Sequence, residues 1–225
     1  MCGRFSLDAT LEDLYIALKI RARFNLQPRY NIAPGQPVLA LRNHPERVAR
    51  ELAHFRWGLI PSWMKEAPKT VTMINARVET IGQKPSFRGA YRRRRCLIPA
   101  TGFYEWRGEA PNKQPYYIYL EDTRVFTFAG IWEHWQGPDG AGVETVAILT
   151  ADAAPSIRAL HDRMPVIVPK AHFDAWLRAG ISAREVLDNK IEFSYYPVSR
   201  AVNNVQNDDP SLIVERPPDT PELPV

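Results

Sequence analysis

The chain has 225 residues, 45% of them hydrophobic and 24% charged, with a net charge of only +4. This is ordinary for one soluble globular domain with a sizeable core. No apolar run approaches the ~20 residues that span a membrane, and the N-terminus does not read as a signal peptide, because Arg4 is charged and no long apolar stretch follows it. Cys2 and Cys96 are too few for a disulfide framework or a Cys-rich zinc site. The expected location is therefore a reducing cytoplasm (nucleoid-associated in a bacterium), where Cys2 stays a thiol.

In chain order, Thr10-Leu11-Glu12-Asp13 has capping-box spacing and introduces an amphipathic helix to about residue 22. Residues 27–35, with Pro28 and Pro34, read as an extended loop. Residues 38–41 and 48–57 alternate as strands. A loop over 61–70 leads to the segment 71–77, and 85–94 reads as a short basic helix. Strands are expected at 96–99, 102–106, 116–121, 125–132, 143–150 and 166–168, with a short helix at 155–160. Residues 170–178 and 183–187 read as helices, and 193–198 as a closing strand. No repeat or composition break marks a second domain. The expected fold is a single-domain α+β protein with an antiparallel β core (a barrel-like sheet) flanked by a few short helices. It would occupy residues 1–206, with an acidic, Pro-rich C-terminal tail at 207–225 that hugs the surface or is disordered.

The chemistry begins at Met1-Cys2-Gly3-Arg4-Phe5. Removal of Met1 ahead of a small side chain would leave Cys2 with a free α-amine beside its thiol. Such a 1,2-aminothiol condenses with an aldehyde to a Schiff base, and the thiol then closes a five-membered thiazolidine. Both groups titrate close to neutrality, the amine near ~7.7–8.0 and the thiol near ~8.5. Gly3 allows close backbone approach of a ligand, and Arg4 suits a phosphate.

Asn75, in Ile74-Asn75-Ala76-Arg77, offers a donor and an acceptor that do not titrate. Arg77 shares its face if the segment is extended. Glu105 stands among Phe103, Tyr104 and Trp106, surroundings that raise a carboxyl pKa toward a useful proton shuttle. His161 lies in the polar loop His161-Asp162-Arg163-Met164-Pro165. It is the natural acid or base near neutral pH, with Arg163 beside it to bind an anion or lower the imidazole pKa. Cys96, in an apolar strand, reads as buried filler. Trp57 reads as core, whereas Trp63, beside Ser62 and Lys65, reads as exposed. The block Arg88, Arg92, Arg93, Arg94 and Arg95 suits either a phosphate-binding face or a solvated helix end. No histidine pair has metal-ligand spacing, so neither metal nor other cofactor is expected.

Met1-Cys2-Gly3-Arg4-Phe5, Tyr30-Asn31-Ile32-Ala33-Pro34-Gly35, Trp57-Gly58-Leu59-Ile60-Pro61, Asn75-Ala76-Arg77, Gly102-Phe103-Tyr104-Glu105-Trp106 and His161-Asp162-Arg163-Met164-Pro165 resemble the motifs of the SRAP family, also described as abasic-site processing proteins. The likeness extends to Pro197-Val198-Ser199 and Asn207-Asp208-Asp209-Pro210. It implies recognition of abasic sites in single-stranded DNA and covalent capture of the open-chain sugar aldehyde by Cys2. By the same resemblance, Asn75 positions the amine and sugar, Glu105 shuttles protons and His161 assists ring opening. Gly3, Arg4, Arg77 and Arg163 would contact the DNA, with Pro34 and Trp63 as wedges or platforms. The protein would act as a monomer without a membrane.

Two other classes remain open at this level. One is a cysteine peptidase or N-terminal-nucleophile amidohydrolase, with Cys2 attacking a carbonyl and His161 or Glu105 as base. The other is a noncovalent single-strand nucleic-acid module, in which bases stack on aromatic rings and phosphates meet arginines.

Overall fold

A computed structural model describes residues 2–21, 25–187 and 191–217. Its strands are β1 (Phe5–Leu7), β2 (Arg29–Ile32), β3 (Pro37–Asn43), β4 (Arg50–Trp57), β5 (Asn75–Arg77) and β6 (Arg95–Ala100). They continue with β7 (Gly102–Arg107), β8 (Gln114–Tyr119), β9 (Phe126–Gln136), β10 (Gly142–Asp152), β11 (Arg163–Pro165) and β12 (Ser194–Pro197). The helices are α1 (Leu11–Leu18), α2 (Pro85–Arg93), α3 (Phe173–Leu177) and α4 (Ala183–Leu187). None of the described helices is long and apolar enough to cross a membrane.

Strand β9 turns back on β10 as a long antiparallel hairpin, and the ladder then runs β10–β4–β3–β6 and returns to β9. The ring is a closed barrel. All its pairings are antiparallel except β4–β10. The second sheet has the order β12–β8–β7–β1–β2. Phe5 links the two layers: its ring meets Trp57 at 5.3 Å and Phe128 at 5.6 Å, edge to face. Strand β7 alternates between faces, as its period of two requires. Phe103 joins the main core, whereas Tyr104 joins a second cluster with Tyr117, Val198, Val202 and Leu212. That second cluster binds the C-terminal segment to the outer face of the sheet.

The α+β class and barrel-like core match the expectation, and several boundaries move. The capping box at Thr10 and Asp13 is present, but α1 stops at Leu18 because Lys19 turns left-handed (φ 55°) and its N–H bonds Tyr15 O. Residue 22 lies outside the described residues. The expected loop over 27–35 contains β2, paired with β1; Pro28 and Pro34 flank the strand without entering its ladder. Residues 155–160 form hydrogen-bonded turns and no helix. No strand forms at the expected 166–168: the local strand, β11, ends at Pro165, and Ile167 makes only a single bridge to Phe128. Helix 170–178 breaks into a 3₁₀ turn followed by α3. Beyond residue 207, Leu212 is fully buried and the Asp208 carboxylate accepts the N–H groups of Tyr30 and Asn31, so this part of the expected tail is docked. Residues 218–225 lie outside the described residues.

Candidate active site

The site forms where β1 enters the second sheet. Antiparallel register pairs Phe5 with Phe103 and Ser6 with Gly102. Continuing it outward, the Tyr104 N–H donates to Arg4 O at 3.0 Å. Gly3 therefore comes abreast of Glu105, and Cys2 lies just beyond. Cys2 is fully buried, and its carbonyl accepts a 2.8 Å hydrogen bond from Asn75 Nδ2. The second carboxamide atom, Asn75 Oδ1, is buried and has no hydrogen-bond partner among the described residues. It is a buried acceptor left open for an N–H donor.

Asn75 owes its place to a tightly held lead-in. It opens β5, which runs parallel to β10 with Asn75 beside Ile148. Ile74 O accepts hydrogen bonds from both the Ile148 N–H (3.0 Å) and Trp57 Nε1 (2.9 Å). Met73 takes a left-handed conformation (φ 52°) and its carbonyl accepts the Leu59 N–H. Val71 closes against two glycines with positive φ, Gly35 and Gly58. A Cβ on Gly58 would stand 2.6 Å from Val71 Cγ1, closer than packed atoms approach. Trp57 is thus core, as expected, and also a brace for Asn75.

Glu105 is 4% exposed, on the same face of β7 as Phe103. Burial pushes its carboxyl pKa up, the nearby imidazole of His161 opposes that rise, and Asp162 adds to it. The Cys2 thiol is also pushed up, first by burial and then by the Glu105 charge, so it rests as the protonated thiol. His161 follows the turns at 155–160 and is held from below by the Ala153 N–H bonded to Asp162 O. Its Nδ1 is 2.9 Å from the Arg163 backbone nitrogen and 2.8 Å from Asp162 Oδ1. A backbone N–H can only donate, so Nδ1 is the acceptor and the imidazole proton sits on Nε2. The Asp162 carboxylate is also an acceptor, so with the proton on Nε2 its approach to Nδ1 is not a hydrogen bond; its side chain is 85% exposed and solvated.

The fold brings Cys2, Gly3, Arg4, Asn75, Glu105 and His161 together from four separate elements. Arg77, two residues along β5 from Asn75, is exposed; its main chain is held in the β5–β10 ladder and by the Thr80 N–H, while its guanidinium makes no hydrogen bond among the described residues. Pro34 lies on the β2–β3 turn beside Gly35, and the exposed Trp63 projects from the loop after β4. Arg163 departs from expectation. Its guanidinium bonds both Glu79 oxygens (2.8 and 3.0 Å), Asp152 Oδ1 (2.6 Å) and Thr150 O (2.8 Å), so it braces the His161 loop and faces no open surface. The arginine block also divides. Arg94 pairs with Glu133, and Arg95 is buried over the Tyr91 and Trp176 rings; Arg88, Arg92 and Arg93 remain exposed on or beside α2. Cys96 is buried filler, packed against Gly130. The sequence reading gave no role to Asn31. Its place in the Tyr30-Asn31-Ile32-Ala33-Pro34-Gly35 motif was its signal in the sequence; the structure adds that it is a polar side chain with zero exposure.

Comparisons with known proteins follow this geometry. Residues 1–205 match the family model described as SOS response associated peptidase (SRAP). The chain is 37% identical over 223 residues to the abasic site processing protein YoaM of Bacillus subtilis, covering 95% of this chain and 97% of that one. It is 34% identical over 227 residues to the abasic site processing protein YedK of Escherichia coli, covering 95% and 99%. A crystal structure of a protein from Bacteroides thetaiotaomicron superposes with a TM-score of 0.76 at 27% identity, covering 96% of this chain and all of that one.

Proposed function

Because the chain belongs to the SOS response associated peptidase (SRAP) family, we propose that it is an abasic-site processing protein that captures the sugar aldehyde covalently through Cys2. The observation that carries this reading is the convergence of Asn75, Glu105 and His161 on the Cys2 end of β1. Each has the chemistry the condensation needs. An abasic sugar interconverts between a closed hemiacetal and an open aldehyde. His161, with its proton on Nε2, is suited to hydrogen-bond the ring oxygen as the sugar opens, the hydroxyl proton leaving to solvent and the ring oxygen taking one from solvent. Once Met1 is removed, the neutral α-amine of Cys2 attacks C1′. Asn75 anchors the Cys2 carbonyl through Nδ2, and its Oδ1 is placed to accept an N–H of the amine and so aim the nitrogen lone pair.

The carbinolamine so formed loses water to become an imine. This step needs a proton donor for the departing hydroxyl, and a carboxyl with a raised pKa supplies one near neutral pH. The thiol then adds to the imine carbon. Sulfur gives up its proton as the C–S bond forms, the imine nitrogen gains one, and Glu105 is positioned to relay between them. The carboxyl returns to its starting state, and the reverse route uses the same relay. Phosphates flanking the lesion would meet Arg4 and Arg77, while Gly3 keeps the approach clear and Pro34 and Trp63 offer rigid and stacking surfaces to the neighbouring bases. Single-stranded substrate and a monomeric state fit this arrangement.

A peptidase reading gains less support. A cysteine nucleophile works as thiolate, whereas burial and Glu105 both favour the thiol here.

The test is a denaturing gel with an oligonucleotide bearing one abasic site. The wild-type protein should give a stoichiometric, heat-resistant shifted band, and Cys2→Ala should give none. Equal capture by Cys2→Ala would overturn the aminothiol route, as would an intact Met1 in the mass of a protein that crosslinks fully.

A further inference from the structure

We propose that Asn31 is a positioning residue that locks Arg4 to the C-terminal segment while leaving its positive charge uncancelled for DNA. This rests on the reading of Cys2 and Arg4 given above and extends it to a residue and a segment outside that site.

Asn31 lies in β2 with no exposure at all. Its Oδ1 accepts Arg4 Nη1 at 2.8 Å. Its Nδ2 points at three main-chain carbonyls: Asn207 O at 2.7 Å, Asn204 O at 3.0 Å and Val202 O at 3.3 Å. A carboxamide has two N–H protons, so the two shorter contacts take them and Val202 O is shared. Val202 O is in turn held by Arg4 Nη1 at 2.7 Å. The Asn31 N–H donates to Asp208 Oδ1 at 3.0 Å, and the other Asp208 oxygen pairs with Arg29. Leu212 and Val202 seal the segment against Tyr104. One buried side chain thus joins three stretches distant in sequence: the start of the chain, β2 and residues 202–208.

Arg4 is the far end of this clasp and stands two residues from Cys2. Its carbonyl is fixed by the Tyr104 N–H, and its guanidinium lies 5.8 Å from the centre of the Trp106 ring. A chain terminus normally frays. Here it is restrained by main chain and side chain together, which reduces the motion that must be lost before an amine attacks C1′.

The choice of partner atoms matters as much as their positions. A buried arginine is usually matched with a carboxylate, as Arg42 is with Glu51 and Glu144 in this fold. The described partners of Arg4 are a carboxamide oxygen, a peptide carbonyl and an aromatic face, all neutral. Aspartate at position 31 would still accept from Nη1, but it would turn Arg4 into half of an internal ion pair. Asparagine fixes the guanidinium and leaves its field for a phosphate.

Four proteins, Asn31→Asp, Asn31→Ala, Arg4→Ala and Asn31→Ala combined with Arg4→Ala, separate the parts of the proposal. Noncovalent binding to a lesion-free single strand is followed against salt by fluorescence anisotropy. Single-turnover capture of an abasic oligonucleotide is normalised to folded protein. Asn31→Asp should lower the slope of log K against log salt by about 0.7, the loss of one single-strand phosphate contact. Asn31→Ala should slow capture about tenfold, with no additional slowing relative to Arg4→Ala alone in the doubly substituted protein. A wild-type slope in Asn31→Asp, or losses that add across Asn31 and Arg4, would overturn the proposal. If the wild-type protein captures no abasic DNA, the Cys2 reading fails, while the salt slope still tests the Asn31–Arg4 link. If the variants do not fold, nitrogen NMR of the wild-type protein decides. Separate Arg4 Nη resonances are expected from a pinned guanidinium, and a single averaged signal would refute it.

Discussion

Replacing Glu105 by Gln should stabilise the protein above neutral pH while depriving Cys2 of its proton relay. The carboxyl is 4% exposed, and burial holds its pKa above the usual carboxylate range, with His161 partly opposing. In the unfolded chain a glutamate ionises near pH ~4.3. Below that pH both states carry the proton, and ionisation contributes nothing to folding. As the pH rises, the unfolded state releases its proton while the folded state keeps it, so stability falls until the folded group ionises in turn. The neutral amide suffers no such loss. Withdrawing a polar group from water in a protein interior costs ~1–3 kcal/mol, and the advantage of Glu105→Gln should lie in that span at about pH 8 and vanish near pH 4. Urea unfolding of both proteins at about pH 4, 6 and 8 measures it. In the same variant, single-turnover capture of an abasic oligonucleotide should slow roughly 10²-fold or more. A stability difference independent of pH, or a variant less stable than wild type at pH 8, would refute the buried, proton-holding carboxyl.

Gly58→Ala should cost about 2–5 kcal/mol in thermal unfolding, because it combines a disfavoured backbone region (φ 129°) with a Cβ pressed against Val71; wild-type stability would show that the 71–74 segment yields freely. Trp63→Ala should leave the melting temperature unchanged, since the ring is 63% exposed, yet weaken single-strand binding in an anisotropy titration by ~1–3 kcal/mol if a base stacks on it. Arg77→Ala should reduce the salt slope of binding by about 0.7. Arg163→Met should leave that slope unchanged, because its guanidinium already serves Glu79 and Asp152, and it should instead lower stability by ~1.5–3 kcal/mol through the loss of its charge-assisted hydrogen bonds.

The apolar runs around β9, β10 and β6 were readable because these strands are buried on both faces over most of their length, and such burial leaves a near-continuous hydrophobic stretch. So was the N-cap of α1, whose signal is local to Thr10 and Asp13. What escaped was set by distant partners. Strand β2 is a strand only because β1 lies beside it; nothing within residues 27–35 demands that pairing. The turns at 155–160 carry helix-compatible residues, but Ala154 O serves two N–H groups and the chain must then swing back to deliver His161. At the site, Cys2, Asn75, Glu105 and His161 stand out by reactivity set against special backbone residues. Arg163 looked available for the opposite reason: Glu79 lies 84 residues away, and Asp152 reaches it only through the β10–β11 pairing. Asn31 passed as a loop residue because its hydrogen bonds run to carbonyls that no side-chain pattern announces.

The clasp between Arg4 and Val202 joins positions 198 apart in the chain, which gives it a place in the timing of synthesis. At ~5–20 residues per second, a ribosome makes the Val202 carbonyl roughly 10–40 s after Arg4. Throughout that interval the beginning of the chain has no seat on residues 202–208, and a processing enzyme can reach Met1. In the finished fold Cys2 is fully enclosed. On the proposed aminothiol route, the time to unmask Cys2 is therefore early, while the protein is still unfinished and before the fold has closed.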